Sequence, residues 1–501
     1  MDLQDPTAQD ACYRALATRD ARFDGSFFTA VTSTGIYCRP VCKVRTPKRE
    51  NCLFFDHAAQ AERAGFRPCL RCRPELAPHS VLWSLQDASY VLAHQAARLM
   101  DEPQAWQDSP ASVHQVAARL GVSDRHLRRI FEAQLGVSPL QYLQTRRLLT
   151  AKQLLTDTDL PVTQVALASG FASVRRFNAA FATHYGLNPT QLRKVRGGVS
   201  PTAGSAVRLG YRPPYDAAAM LGFLHTRMLV GVEQFDADGF GRSLRIDAGG
   251  RSHTGWLWTT FDPANHQVLL RVGDGLRDVL PLVIHRLRAK LDLDANPSAI
   301  NAVLHPHFPH GDGLRVPGAM DGFELAVRAV LGQQITVAAA RTLAQRLVDR
   351  FGEPCATPWP GIQRLFPTPQ VLALAGGDGL GQLGIVRQRQ AAIVALAQGV
   401  ADQSLALHGG APVQATVDAL KALPGIGDWT AQYIAMRALR WPDAFPAGDV
   451  ALHKALGLGQ ARRPAQEAEA ASLFWQPWRS YAVIRAWTAG TGATSEKLSK
   501  T

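Results

Sequence analysis

Four cysteines within a short stretch are the feature that most restricts how this chain can fold. They are arranged as Cys38-x3-Cys42 and, after 26 intervening residues, Cys69-x2-Cys72. Two close pairs separated by a folded segment are typical of a tetrahedral zinc site, because each short spacing lets one tight turn hold the metal from one side. Four unrelated buried thiols are the alternative. The spacing favours one Zn²⁺ bound by all four cysteines.

The distribution of charge indicates a polyanionic partner. The 501-residue chain has 54 Lys and Arg against 41 Asp and Glu, a formal charge of +13. Residues 111–198 contain 12 basic and 4 acidic side chains, so this segment alone carries +8. A local basic block favours nucleic acid, the alternative being a solvated helix face. Neither a membrane-length apolar run nor a secretory signal occurs, which predicts a cytoplasmic protein without a membrane partner.

The basic segment contains a repeated helical pattern. Residues 112–120 have helical spacing, residues 121–123 form a turn, and a second helix runs from 124 to about 134, with Ser123 or Asp124 as its N-cap. The pattern recurs over residues 162–181, and a helix over 140–155 joins the copies. Two helix-turn-helix units with arginines on each second helix predict DNA binding. The outward cations are Arg125, Arg128, Arg129, Arg175 and Arg176, and the inward residues are Leu127, Ile130, Phe131, Phe177 and Phe181.

The second half changes from strands to helices. Strands are predicted over 227–232, 242–246, 255–260 and 267–272, and helices from residue 321 onward. Residues 423–433 read LPGIGDWTAQY, in which Gly425 and Gly427 permit a tight positive-φ turn before a helix that can hold a DNA phosphate. This is the helix-hairpin-helix pattern. Asp449 follows at a loop-to-helix junction, where an N-cap is the alternative to a catalytic role.

The cysteine-rich segment resembles the N-terminal domain of the Ada adaptive-response regulators. The resemblance rests on FTAVTSTGIYCRPVC (residues 28–42) and AGFRPCLRC (residues 64–72), and covers about residues 5–80. It implies that the cysteines bind zinc and that Cys38 irreversibly accepts a methyl group from a DNA methylphosphotriester, which makes the domain a stoichiometric methyltransferase. Nearby cations keep thiolates deprotonated and can hold phosphates. Those expected to contact DNA are Arg39, Arg45, Arg67 and Arg71.

The basic segment resembles the AraC-type DNA-binding domain over about residues 85–196, including GVSP at 136–139 and GLNP at 186–189. This resemblance implies promoter recognition and transcriptional activation, with RNA polymerase as a partner. Ada proteins usually end in an alkylguanine methyltransferase with a Pro-Cys-His-Arg motif. That motif is absent, and the single cysteine after residue 72 is Cys355, so we expect no transfer from O6-alkylguanine.

Residues 208–492 instead resemble the DNA-3-methyladenine glycosylase AlkA. The matching segments are YRPPYD (211–216), MLGFL (220–224), LPGIGDWTAQY (423–433), FPAGDVALHK (445–454) and PWRSYA (477–482). The resemblance implies that Asp449 is catalytic and that Trp429, Tyr433 and Trp487 line the base pocket, core packing being the alternative for the aromatics. Related lyases carry a lysine where Trp429 stands, so a monofunctional enzyme is expected.

Two further expectations follow from the same family. The iron–sulfur cluster of some relatives is absent, because the chain has no second cysteine cluster. The family often inserts an apolar wedge where LGQQI (331–335) offers Gln334, so either Gln334 or Ile335 would fill the gap left by a flipped base.

The sequence therefore predicts a multidomain protein, mainly α with α+β parts, that acts on damaged and on promoter double-stranded DNA. The predicted domains are a small four-cysteine zinc domain (1–82), an all-α tandem helix-turn-helix domain (83–196), a linker (197–207), a β-rich AlkA N-terminal-like α+β domain (208–318) and an all-α helix-hairpin-helix glycosylase domain (319–495). Two other interpretations remain open. The chain could be a regulator with an inactive glycosylase half, or a repair enzyme whose zinc module only targets DNA.

Overall fold

The structure is a computed structural model that describes residue 3 and residues 5–79, 88–102, 112–195 and 206–498. The boundary predicted between residues 82 and 83 and most of the predicted linker lie outside the described residues. Val207, the last residue of the predicted linker, begins a strand and pairs with Leu270. None of the helices in the described ranges is both long and apolar enough to cross a bilayer.

The cysteine-rich domain is a four-stranded sheet with two helices. Strands β1 and β2 form an antiparallel hairpin, and β2 pairs in parallel with β4. Because β2 ends at Cys38 and Cys69 directly follows β4, the parallel pairing brings both cysteines to the same edge of the sheet. The elements are α1 (Pro6–Thr18), β1 (Phe28–Val31), β2 (Ile36–Cys38), β3 (Cys52–Phe55), α2 (Ala58–Arg63) and β4 (Arg67–Pro68), with sheet order β3-β1-β2-β4.

The basic segment folds as the two predicted helix-turn-helix units. The helices are α3 (Ala88–Asp101), α4 (Val113–Arg119), α5 (Asp124–Leu135), α6 (Pro139–Asp157), α7 (Val162–Ala168), α8 (Val174–Tyr185) and α9 (Pro189–Val195). The N-cap of α5 is Ser123, whose hydroxyl accepts from the His126 amide at 3.2 Å, and Ser173 caps α8 in the same way. Phe131 and Phe177 are fully buried, as their apolar spacing predicts.

A twisted antiparallel sheet follows, with strand order β5-β9-β8-β7-β6. Its elements are β5 (Val207–Gly210), α10 (Ala217–Thr226), β6 (Glu233–Phe235), β7 (Gly239–Ala248), β8 (Arg251–Asp262), β9 (Gln267–Val272), α11 (Leu280–Lys290) and α12 (Pro297–Leu304). Three of the predicted strands lie within β7, β8 and β9, but the one over 227–232 was wrong. Arg227 caps α10 and Gly231 has φ +83°, so this segment turns before β6 begins.

The C-terminal part is helical around one large apolar core. The helices are α13 (Gly322–Leu331), α14 (Val337–Phe351), α15 (Pro369–Gly381), α16 (Arg387–Ala401), α17 (Val413–Ala422), α18 (Asp428–Arg437), α19 (Val450–Ala455), α20 (Pro464–Ser472) and α21 (Arg479–Leu498). Asp321 caps α13, which agrees with the predicted start of the helical region.

The two halves share buried contacts. Phe177 and Phe181 of the second helix-turn-helix unit belong to the same apolar cluster as Leu209 and Val268 of the second sheet. The second sheet is therefore part of the support for the second DNA-binding unit. The sequence patterns predicted the helix-turn-helix domain and the β-rich domain as separate units and gave no sign of this shared core.

Arg212 joins the two halves through polar contacts. It is 1% exposed, and its guanidinium donates to five backbone carbonyl oxygens at 2.6–3.2 Å. The acceptors belong to Asp24, Pro78 and His79 on the cysteine-rich side and to Asp294 and Ala295 on the other.

Candidate metal centre and candidate active site

The four predicted zinc ligands converge. The Sγ atoms of Cys38, Cys42, Cys69 and Cys72 all lie within 4.8 Å of one another, and the first three of these residues are buried. Four sulfurs at such separations suit the tetrahedral geometry and soft-ligand preference of Zn²⁺. The donor set therefore fits the metal that the spacing predicts.

Arg39 supports this centre from inside the domain. Its backbone N–H donates to Cys72 Sγ at 3.3 Å, and its guanidinium donates to the Cys72 carbonyl at 3.0 Å. The same guanidinium binds the Asp24 carboxylate, with Nε at 2.8 Å from Oδ1. Arg39 is 9% exposed. The prediction that Arg39 contacts DNA is therefore corrected, because this side chain is committed to an internal ion pair that orients a metal ligand.

The other three arginines predicted to lie near the cysteines are at the surface. Arg45, Arg67 and Arg71 are exposed. Arg67 also lies close to the end of α8, since a Cβ added at Gly186 would meet its Nη1 at 2.8 Å. The metal centre and the second helix-turn-helix unit thus have cations on adjoining surfaces, which suits contact with a phosphate backbone.

The arginines predicted on the second helices are also at the surface. Arg125, Arg128 and Arg129 on α5 and Arg175 and Arg176 on α8 are all exposed, while the apolar residues of the same helices point into the core. Each unit therefore presents a basic helix face to solvent, as the sequence predicts for major-groove binding.

Asp449 lies at the start of α19, where three N–H groups hold its carboxylate. Oδ1 accepts from the Leu452 amide at 2.7 Å and from the Trp487 indole at 3.0 Å, and Oδ2 accepts from the Trp429 indole at 2.9 Å. The residue is 8% exposed. Asp449 is thus an N-cap, and it is also fixed in orientation by two side chains from other helices.

The same aromatic residues form one wall. The rings of Trp429 and Tyr433 stack with centroids 5.3 Å apart at 18°, and Tyr433 and Trp487 are 6.3 Å apart at 39°. All three are partly buried, and Tyr433 and Trp487 pack against the large core. Such an arrangement offers electron-rich π-faces beside a carboxylate, which suits a flat cationic ligand.

The predicted helix-hairpin-helix turn joins α17 to α18. Gly425 has φ +75°, and a Cβ there would meet the Gln388 carbonyl oxygen at 3.0 Å, so glycine is needed. Gly427 has φ −92° and ψ −179° as the N-cap of α18. The positive φ of the predicted turn therefore falls on Gly425, and Gly427 has an extended backbone.

Sequence reasoning missed the residue that attaches the predicted wedge loop to this hairpin. The amide Nε2 of Gln333 donates to the Gly425 carbonyl and to Thr430 Oγ1, both at 2.9 Å. The next residue, Gln334, is exposed with φ +55°, whereas Ile335 is partly buried. The outward-pointing residue of the loop is therefore Gln334.

Two arginines beside the aromatic wall were also missed. Arg437 donates from Nη1 to the Tyr433 hydroxyl, and its guanidinium carbon lies 5.0 Å from the Phe223 ring centroid. Arg227 lies 3.7 Å from the same centroid. The spacings Tyr433–Arg437 and Phe223–Arg227, four residues apart near a helix end, are the signal that would have found them.

Four segments of the chain match known families. Residues 11–75 match the metal binding domain of Ada, and residues 116–195 match a helix-turn-helix domain. Residues 206–321 match the AlkA N-terminal domain, and residues 327–480 match the HhH-GPD superfamily of base excision DNA repair proteins.

Curated relatives match either nearly the whole chain or one of its halves. A Mycobacterium tuberculosis protein named probable bifunctional transcriptional activator/DNA repair enzyme AlkA is 38% identical over 493 residues, 96% of each chain. The Escherichia coli DNA-3-methyladenine glycosylase 2 is 34% identical over 271 residues, covering 54% of this chain and 92% of that protein. The Escherichia coli bifunctional transcriptional activator/DNA repair enzyme Ada is 32% identical over 184 residues, covering 37% of this chain and 49% of that protein.

Proposed function

The chain belongs to the family of bifunctional transcriptional activators and DNA repair enzymes that fuse an Ada-type regulator to an AlkA-type glycosylase, and we propose residue roles for its two activities. One activity is DNA-3-methyladenine glycosylase, which releases alkylated bases in base excision repair. The other is methyl transfer from DNA methylphosphotriesters to the zinc-bound cysteine centre, coupled to transcriptional activation. Damaged DNA is the substrate of the first activity and the signal for the second.

The carboxylate of Asp449 carries the glycosylase assignment, because it is oriented by the Trp429 and Trp487 indoles beside an aromatic wall. Alkylation at N3 or N7 makes a purine cationic and a good leaving group. The C1′–N bond breaks, its electron pair goes to the base, and positive charge develops on the deoxyribose. Asp449 stabilises that charge, and a water molecule then adds to C1′ and transfers a proton to the carboxylate.

The aromatic wall receives the flipped base. Trp429, Tyr433 and Trp487 provide stacking surfaces for a cationic purine. Trp429 occupies the position of the lyase lysine in related enzymes, so hydrolysis ends at an abasic site. The enzyme is therefore monofunctional in this proposal.

Contacts to the DNA backbone and a wedge side chain stabilise the DNA with the damaged nucleotide flipped out of the duplex. The hairpin around Gly425 and Gly427 presents the N-terminus of α18 to a DNA phosphate. Gln334 fills the gap left by the flipped nucleotide, since it is exposed on a loop that Gln333 attaches to the hairpin. Of the two predicted candidates for the wedge, we therefore prefer Gln334 to the partly buried Ile335.

The methyl acceptor is Cys38, with Cys42, Cys69 and Cys72 as the other ligands of a single zinc ion. When bound, zinc keeps the sulfurs deprotonated at neutral pH. The Cys38 sulfur attacks the methyl carbon, a C–S bond forms, and the C–O bond breaks so that the phosphate diester leaves as an anion. The centre becomes less negative by one charge, which strengthens DNA binding. We expect no iron–sulfur cluster.

The exposed arginines of α5 and α8 read promoter DNA, while Arg45, Arg67 and Arg71 contact phosphates near the acceptor. Activation would then require contact with RNA polymerase. A promoter-bound complex tested for polymerase recruitment before and after methylation would examine this step.

One experiment tests both activities. The protein is incubated with methylated DNA, and released bases are measured together with the mass of the peptide that contains Cys38. Asp449→Asn should reduce release of 3-methyladenine by about a thousandfold while leaving Cys38 methylation intact. Cys38→Ala should abolish methylation and activation but not release. Asp418→Asn, at an exposed carboxylate that accepts from Gln414, and Cys355→Ala are matched controls.

The outcomes separate the assignments. Unchanged release from Asp449→Asn would contradict the catalytic role of this carboxylate. Absence of release by the wild-type protein would favour a regulator with an inactive glycosylase half. Alkylation-induced transcription that survives Cys38→Ala would instead mean that the zinc module only directs the enzyme to DNA.

A further inference from the structure

Two guanidinium groups, of the buried Arg437 and the partly buried Arg227, lie beside the aromatic wall of the base pocket. Arg437 follows Tyr433 by one helical turn on α18, is 6% exposed, and donates to the tyrosine hydroxyl. Its guanidinium carbon is 5.3 Å from the centroid of the Tyr433 ring. Arg227 lies 3.7 Å from the Phe223 centroid, and Arg437 lies 5.0 Å from the same centroid, so one aromatic ring contacts both cations.

Among the residues that the structure describes, no carboxylate pairs with either of these two cations. Arg437 donates to the Pro317 carbonyl at 2.6 Å and Arg227 donates to the Phe223 carbonyl at 3.1 Å. In the described part of the chain, neither guanidinium forms an ion pair within 4.0 Å. Burial lowers the pKa of Arg227 to about 10, although Tyr433 opposes the shift, so Arg227 remains cationic at neutral pH. The pocket therefore keeps an unbalanced positive charge behind Tyr433.

The negative charge of the Asp449 carboxylate is separated from Tyr433 by the Trp429 ring. Trp429 stacks on Tyr433 at 5.3 Å and donates its indole N–H to Asp449 at 2.9 Å. Trp487 makes the equivalent bond to the other carboxylate oxygen at 3.0 Å. Cations thus lie on the Tyr433 side of the wall, and a carboxylate lies on the side of the two indole nitrogens.

We propose that Arg437 and Arg227 accelerate base release by repelling the positive charge of the alkylated base before its glycosidic bond breaks. This inference rests on the proposed function, in which the base stacks on Tyr433 and the deoxyribose faces Asp449. During cleavage the C1′–N electron pair moves to the base, which leaves as a neutral molecule. The positive charge moves to the sugar beside Asp449, and water addition at C1′ then delivers its proton to that carboxylate.

The arginines therefore affect the bound state with a cationic base differently from the state after the glycosidic bond has broken. They disfavour the bound cationic base and are nearly indifferent to the neutral product, and only such differential interactions raise the rate of the chemical step. The electron-rich rings still bind the base, while the guanidiniums set the direction of charge movement. A residue that only supported the pocket would strengthen both binding and release.

The test uses two substitutions at one position in the full-length protein. Arg437→Met removes the charge and keeps most of the side-chain volume, and Arg437→Lys keeps the charge. Single-turnover release of 3-methyladenine from methylated duplex DNA gives the rate. Equilibrium binding to a duplex with 2′-fluoro-7-methyldeoxyguanosine, which resists cleavage, gives the affinity for a cationic base. An unmodified duplex of the same sequence is the reference.

Arg437→Met should slow release by about tenfold and should bind the cationic-base duplex about threefold more tightly than the wild type, with unchanged binding to the unmodified duplex. Arg437→Lys should resemble the wild type in both. If the Tm of Arg437→Met is lower than that of the wild type, Arg227→Met provides the same comparison. An unchanged rate, or slower release with unchanged or weaker binding of the cationic base, would overturn the inference.

Failure of the proposed function is distinguishable. It would appear as absence of base release by the wild-type protein. The binding comparison would still decide whether the two arginines oppose a cationic base, because it does not require cleavage.

Discussion

The metal centre and the base pocket differ in how far apart their residues lie along the chain. The zinc ligands lie in two short turns at one edge of a small sheet, where β2 and β4 run in parallel. The base pocket combines α18, the start of α19 and α21, with Asp449 lying 20 positions from Trp429 and 38 from Trp487. One site depends on local spacing and a metal, whereas the other depends on how helices pack.

This difference predicts different sensitivities. A four-thiolate centre obtains much of its folding free energy from the metal. The pocket obtains its geometry from a large apolar core and from three hydrogen bonds to a single carboxylate. Removal of the metal should therefore affect the metal centre alone. Loss of a single hydrogen-bond donor to Asp449 should affect the base pocket.

Zinc removal should have the largest effect. A chelator under reducing conditions should unfold the β1–β4 sheet, since apparent zinc-binding free energies of structural sites are on the order of 10 kcal/mol. Base release should be unchanged, because the three described hydrogen bonds to the Asp449 carboxylate come from Trp429, Leu452 and Trp487. Hydrogen exchange and base release, measured on the same sample, check this. Parallel loss of both would show that the sites are coupled.

The next effect concerns the contact between the halves. Arg212→Met would leave five carbonyl oxygens, four of them in buried hydrogen bonds, without their donor and should lower the free energy of unfolding by about 3 kcal/mol. Denaturant unfolding measures this. Arg251→Met, at an exposed strand residue, is the control and should change little. Equal effects of both substitutions would contradict the role of Arg212.

Loss of one indole donor should slow catalysis without unfolding the protein. Trp429→Phe keeps an aromatic ring but removes a hydrogen bond to a charged acceptor, which corresponds to roughly 2 kcal/mol or about a thirtyfold slower release. Trp359→Phe is a matched control, because the Trp359 indole N–H is buried without a partner among the described residues. A wild-type rate for Trp429→Phe would mean that stacking alone matters.

A further effect appears only at high pH and concerns the stability of the regulator half. Burial raises the pKa of Glu62 to about 7, although hydrogen bonds from Thr145 and Tyr37 oppose the shift. A raised folded pKa means that the folded state loses stability as pH increases from about 4.5 to about 7, as the carboxyl must ionise while buried. Glu62→Gln should therefore stabilise the protein by roughly 1–3 kcal/mol at pH 8 and have little effect at pH 4.5. Denaturant unfolding at both pH values checks this, and a pH-independent effect would refute it.

Local patterns predicted much of the fold and site. The cap at Ser123, one of the two predicted candidates, the Phe131 and Phe177 positions and the hairpin at Gly425 follow from spacing and backbone preference, and the structure has them. The strand over 227–232 failed because a helix cap and the positive φ of Gly231 override an apolar pattern. Arg39 was misjudged because a cation near cysteines can face inward as easily as outward.

The sequence by itself determined the modules, the four-sulfur metal centre, the helix-turn-helix units and the candidate catalytic Asp449, because each depends on residues close together in the chain. Tertiary structure alone decided that Trp429 and Trp487 hold that carboxylate, that Arg212 joins the halves, and that Arg437 reaches the same Phe223 ring as Arg227. These contacts join distant residues. Their energies depend on which side chains packing brings within hydrogen-bond distance, and spacing along the chain does not record that.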